Sequence, residues 1–454
     1  GNTGFRDFLA ACKSGKGLKY VYCWHALLGY WSGVGGEFNA EFGAKSPVVG
    51  VTDGHGAKPV RVVPSKGILA VEPQLKWDPL LLNRIGMSGI RSHGVIGGVP
   101  GGPDGMKKGA GSLQSTIHKY LKDCGVDGVK VDAQAASTMM GQGLGGSVSV
   151  ARAYIRAMEQ SVQENFGADN HCINCMCHPA ECLFSYKKTA VARASDDFYP
   201  RDAGSHTVHI ANCAYNSVWL SEIVQPDWDM FQSRHPAALL HAAARAVSGG
   251  GVYVSDHPGE HDHALLRRLV LRDGSTLRTV SPGRPTADCL FADVTMDGRS
   301  VLKVFSTNPC GGVVGAFNVQ GAAWCKTTRG FSERWRSVPS VSCRVRPSDV
   351  AGLAEGESRG GRWAVYGAHY SADGARRDAW MRTCSRSEGL DVTLETKEAA
   401  LFTVAPVDGG LAADGLRVDM APVGMCDMFN SGGSVRSFSV KRDANGTLSG
   451  RAGV

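Results

Sequence analysis

Four strings in this sequence place aspartates at the ends of apolar runs: KVD at 130–132, RASDD at 193–197, QPDWD at 225–229 and VSD at 254–256. One aspartate after a strand is ordinarily a turn or helix cap. Four in succession point to chemistry. Side chains at the carboxyl ends of parallel strands converge on one face of a barrel, so carboxylates far apart in sequence can surround one substrate. Two carboxylates facing an anomeric carbon are what cleavage of a glycoside requires, one as nucleophile and one to give and later take a proton. Lys130 lies two residues before Asp132 and shares its strand face, which favours an ionised carboxylate and makes Asp132 the expected nucleophile. Asp197 adjoins Asp196, and crowding of like charges favours a protonated member, as a general acid needs, with Arg193 the counter-charge for the other.

The elements that must position these residues are legible as alternating apolar runs and helical periods over roughly the first 275 residues. Strands are predicted at 18–24, 128–132, 171–176, 190–195, 217–224 and 251–255. Helices are predicted at 148–166 and 236–247, the first with Val150, Ala153, Tyr154, Ala157 and Met158 on its apolar face. Residues 33–110, rich in Gly and Pro, read as a long loop on the active-site face. After about residue 280 the texture changes to polar and apolar alternation between turns. The expected fold is α/β, a (β/α)8 TIM-type barrel lacking its first strands over 1–278, followed by an antiparallel β-sandwich domain over 279–454.

Composition narrows the function. The 454 residues carry a formal charge of +7 with no long basic block, which argues against nucleic acid as a partner, and contain no apolar run long enough to span a bilayer. Fourteen cysteines, several within strand-like runs, read as buried thiols of a reducing compartment. Cys172, Cys175, Cys177, His178 and Cys182 invite a zinc reading, but no second paired ligand set follows. His257, His261 and His263 around Asp262 read as a solvated loop. GQGLGGS at 141–147 only loosely approaches a dinucleotide-binding spacing and lacks an acidic ribose partner. No metal and no cofactor is expected.

Longer strings carry a resemblance: YVYCWHALLGYWSGV at 20–34, GVKVDAQ at 128–134, RASDDFYPRD at 193–202, QPDWDMFQSRHPAALLHAAARAVSGGGVYVSDHPGEHD at 225–262, LRDGSTLRTVSPGRPTADCLFAD at 271–293 and APVGMCDMFNSGG at 421–433. Together they resemble glycoside hydrolase family 36, in its plant-type branch of raffinose synthases, alkaline α-galactosidases and seed imbibition proteins. The resemblance implies a retaining α-galactosyl enzyme with Asp132 as nucleophile and Asp197 as acid/base. It also implies substrate contacts from Trp24, Lys130, Arg193, Asp196, Asp229 and Asp256. Its implied substrates are galactinol, sucrose and raffinose-type oligosaccharides, and its implied location is cytoplasm or plastid.

The departures from the family are as specific. Its two earlier barrel strands, one ending in a Trp and Asp pattern and the next in Asp-Asp-Gly-Trp, have no counterpart here, nor do its preceding β domain and closing strands, so a chain truncated at both ends is expected. Glu181 stands where relatives usually carry Asp. Hydrolysis would make an α-galactosidase, whereas galactosyl transfer from galactinol to sucrose would make a raffinose synthase. The short interval between Asp132 and the next helix leans towards the α-galactosidase or seed imbibition branch. The alternative is a catalytically impaired remnant or a sugar-binding relic.

Overall fold

The computed structural model describes residues 3–27, 113–139, 147–328, 330–333, 337–353, 361–411, 415–445 and 447–453. The loop expected over 33–110, the end of the YVYCW string and most of GQGLGGS lie outside the described residues. The chain forms two compact units, Gly1–Arg193 and Ala194–Val454.

The first unit is built on four parallel strands in chain order: β1 (Tyr22–Ala26), β2 (Gly128–Asp132), β3 (Cys172–Asn174) and β4 (Val191–Arg193). Parallel strands covered by helices bury both faces, and in β2 every residue but Lys130 is buried. Gly128 opens that strand where nothing larger fits, because a Cβ would lie 2.6 Å from the His171 carbonyl and from the Tyr22 ring. The helix Ser147–Phe166 packs Ala151, Tyr154, Ile155, Met158, Val162 and Phe166 into a core shared with Val129, Val131 and Cys172. This stripe is turned slightly from the expected one, since Ala153 and Ala157 are only partly buried.

The second unit corrects one expected element. Residues 217–224 are not a strand; a helix runs over Ser205–Leu220, and the strand follows as β5 (Gln225–Asp227). That helix is buried on almost every side, which erases the polar face that would mark its period, while Val218 and Trp219 remain exposed at its end. The helix Ala238–Ser248 forms close to expectation and stops at Gly249, whose φ of 76° is a left-handed cap. Residues 251–255 contribute a single parallel bridge, Val254 to Phe231.

Beyond residue 280 the unit is antiparallel. A six-stranded sheet is ordered Arg376–Ser385, Arg362–Tyr370, Ala399–Pro406, Gly311–Phe317, Leu302–Asn308 and Arg284–Pro285. A two-stranded ribbon, Val341–Val345 with Leu390–Leu394, shares its core, which gathers Val345, Leu394, Trp363, Val365, Phe402 and Val404.

Candidate active site

In the first unit the carboxyl ends of the strands bring five side chains together. Asp132, last in β2 and 8% exposed, receives the Trp24 indole Nε1–H on Oδ2 at 3.0 Å and the Ala133 amide on Oδ1 at 2.6 Å. Ala133 takes a positive φ of 56°, so the chain turns sharply just after the strand. Cys175, just beyond β3, is the hub. Its thiol feels the charges of Arg193, Asp132 and Lys130, and Arg193 Nη1 reaches its sulfur at 3.4 Å. Burial raises the Cys175 pKa; Asp132 adds to the rise, against Arg193 and Lys130, so the thiol stays protonated. Trp24 thus meets Asp132 directly, Arg193 meets Cys175, and Lys130 acts on the same thiol through its charge. Trp24 turns its polar edge to the nucleophile candidate.

In the sequence Cys175 stands out only within the zinc reading, and nothing in its string signals a place beside Arg193. The neighbouring thiols scatter onto separate acceptors: Cys177 to the Asn174 carbonyl at 3.5 Å and Cys182 to the Gln134 carbonyl at 3.7 Å. Burial pushes Cys177 up to about 12 and Cys182 up to about 11, the state of inert thiols. All fourteen cysteines are free. Among the described residues, no group of three or more His, Cys, Asp or Glu is placed to hold a metal ion.

In the second unit Asp196 and Asp197 both lie exposed on the turn after β4. Their surroundings differ. Asp196 closes its own turn, accepting the Asp197 amide on Oδ1 at 2.9 Å and the Tyr199 hydroxyl on Oδ2 at 3.3 Å. Asp229 is buried with a φ of 67°; its Oδ2 accepts the Phe198 amide at 3.0 Å and stands 3.9 Å from His209 Nε2. Asp227, its neighbour on β5, takes the Tyr253 hydroxyl at 2.6 Å.

Asp256 is held more fully. Oδ1 accepts the Ser233 amide and Oδ2 the Ser233 hydroxyl, each at 2.6 Å, and His261 Nδ1 lies 3.0 Å from Oδ2. Burial alone would raise this carboxyl, but the hydrogen bonds from Ser233 and His261 outweigh it and lower the pKa. The loop read as solvated is therefore built onto Asp256, and Asp262 caps the next helix through the Leu265 amide. Three of the expected sugar contacts, Asp196, Asp229 and Asp256, spend carboxylate oxygens on holding backbone of the second unit.

A family model described as raffinose synthase or seed imbibition protein Sip1 matches residues 1–452. Two Arabidopsis thaliana proteins named probable galactinol–sucrose galactosyltransferase 6 and 1 are each 42% identical, over 437 and 435 residues, covering 96% of this chain and 53% and 52% of theirs. The galactinol–sucrose galactosyltransferase of Oryza sativa subsp. japonica is 36% identical over 446 residues, covering 94% of this chain and 50% of its own. The chain spans about half the length of the curated relatives it matches.

Proposed function

The chain belongs to the raffinose synthase and seed imbibition protein family, and from that premise we propose that it carries the chemistry of a retaining α-galactosyl enzyme acting on galactinol or raffinose-type oligosaccharides. In this reading Asp132 attacks the anomeric carbon, Asp197 protonates the leaving oxygen, and the galactosyl group on Asp132 passes to sucrose or to water with Asp197 now acting as base. The observation that carries it is the setting of Asp132: a buried carboxylate at a strand end, held by an indole and an amide, with Cys175, Lys130 and Arg193 in its electrostatic surroundings.

Trp24, Lys130 and Arg193 line the donor site, and Asp196, Asp229 and Asp256 shape it through the turns they hold. The four parallel strands of the first unit, with β5 and the 251–255 segment of the second, are read as strands of a (β/α)8 barrel over 1–278. The antiparallel sheet then belongs to a β-sandwich domain over 279–454. The names of the relatives favour transfer to sucrose over hydrolysis.

The test is product analysis on the full-length protein given galactinol alone and galactinol with sucrose. A trisaccharide only in the second mixture is the expected result, and free galactose in both would assign a hydrolase. Asp132→Asn should remove turnover by about 10³-fold or more with the fold intact. Activity within about tenfold of the parent would overturn the nucleophile assignment.

A further inference from the structure

The turn that carries Asp197 is held from beneath by a group of histidines to which the reaction as read assigns no part. Phe198 is buried, and four imidazoles pack around its ring, with centroids at 4.3 Å (His241), 5.3 Å (His235), 5.9 Å (His206) and 5.9 Å (His209). Two residues on, the Pro200 carbonyl meets His206 Nε2 at 3.0 Å and His235 Nε2 at 2.9 Å. A carbonyl only accepts, so both rings carry their proton on Nε2.

The other nitrogens are fixed as firmly. His235 Nδ1 accepts the Ala237 amide at 3.0 Å, and His206 Nδ1 faces the Lys397 ammonium at 3.3 Å. An amide N–H and an ammonium only donate. Each ring therefore has one donating and one accepting nitrogen, which is the neutral state, and neither has a place for a second proton. His241 repeats the pattern, donating from Nε2 to the His206 carbonyl at 2.9 Å and accepting Arg245 Nη1 on Nδ1 at 2.7 Å.

We propose that His206 and His235 are positioning residues for the Asp197 turn, clamping the Pro200 carbonyl as matched neutral Nε2–H tautomers and releasing it when either ring gains a proton. The proposal rests on the reading of Asp197 as acid/base. A proton on His206 would point an N–H at Lys397, and one on His235 would point it at the Ala237 amide. The charged groups around the clamp act in the same sense. Burial lowers the pKa of His206 and His235 and Lys397 lowers both further, against the Pro200 hydrogen bond and, for His206, Asp202. Burial and Arg245 keep His241 neutral, with His209 and His235 adding to the effect. Glu333 acts on Lys397, and Asp229 lies near His209.

The sign of the pH effect follows. Depressed histidine pKa values leave the clamp complete above the ordinary value of about 6.5 and dissolve it as pH falls from there towards the lowered values.

The experiment uses the full-length protein, its His206→Ala/His235→Ala pair and its His206→Gln/His235→Gln pair, since a glutamine side chain offers an N–H near the Nε2 position and does not titrate. The alanine pair should slow galactosides with poor leaving groups by about tenfold or more and activated aryl galactosides by less than about threefold, because only the former need the acid. The glutamine pair should recover most of that loss and keep its rate to lower pH than the parent. Imidazole 15N shifts should show both rings as Nε2–H at neutral pH.

An Nδ1–H or cationic ring at neutral pH, an acid limb unchanged in the glutamine pair, or equal slowing of both substrate types by the alanine pair would each overturn the proposal. The 15N shifts need no turnover. If they show the two neutral tautomers while Asp197→Ala lacks leaving-group dependence, the clamp stands and the acid/base reading falls.

Discussion

Trp24→Phe separates a nucleophile-aiming role from a plain sugar contact. The exchange keeps most of the ring and deletes one donor, the Nε1–H on Asp132 Oδ2 at 3.0 Å. A hydrogen bond to a charged group contributes about 1.5–3 kcal/mol net, which at about 1.4 kcal/mol per tenfold corresponds to roughly 10- to 150-fold in rate. Two features place the effect within that range. Asp132 is 8% exposed, so little water replaces the lost donor on the carboxylate, whereas Trp24 is 37% exposed and its edge admits some. The Ala133 amide also remains on Oδ1. A loss of about 10- to 30-fold in kcat is therefore expected, with KM little changed. The assay is the pre-steady-state burst with an activated aryl α-galactoside, which reads formation of the galactosyl intermediate on Asp132. A raised KM at unchanged kcat, or a burst within about threefold of the parent, would refute the reasoning and return Trp24 to uniform substrate binding.

Asp197→Ala should slow poor leaving groups far more than activated ones and be rescued by azide as α-galactosyl azide, whereas Asp196→Ala, which opens the turn held through Asp197 N and Tyr199, should weaken both substrate types alike without rescue. Glu159→Gln should destabilise the first unit by about 2–4 kcal/mol, because that buried carboxylate receives the amides of Lys187, Lys188 and Thr189 and the Thr189 hydroxyl. Hydrogen exchange of the helix Ser147–Phe166 checks it. Burial and then His25 push His118 down to about 3, so its contribution to stability is complete above about pH 6.5 and is lost as pH falls towards 3, and denaturant titrations of the parent and His118→Gln over that range should differ in slope.

The fold was legible where burial has a period. β2 was read to the residue, and the helix Ser147–Phe166 nearly so, because one is buried at every position but Lys130 and the other shows a stripe against charged positions. The helix Ser205–Leu220 defeated the same reading because His206, His209, Ser205 and Thr207 are buried along with its apolar residues. Polarity stops marking the surface when polar side chains are held by hydrogen bonds inside, and a period search then sees only a short apolar tail. The last expected strand, 251–255, failed for a different reason. Its alternation is present, but only Val254 finds a bridge.

Which aspartates end strands is a local property, and all four strings were found from spacing alone. What each carboxylate touches is not local. Asp256 is set by Ser233, 23 residues away, and Asp229 by Phe198, 31 residues away. Cys175 feels the charge of Asp132 across neighbouring strands, and Arg193 reaches it from a third. Strand-end position therefore selects candidates without ranking them. Asp132, Asp196 and Asp256 each accept hydrogen bonds on both oxygens, and what differs is the donor: an indole from the neighbouring strand for Asp132, turn and loop groups for Asp196 and Asp256. The doublet at 196–197, which sequence divides only by family spacing, lies on one turn with both residues exposed. A carboxylate that accepts its neighbour's amide holds that neighbour's backbone, so the Asp196 carboxylate fixes the amide of Asp197, and removing it opens the turn that carries both.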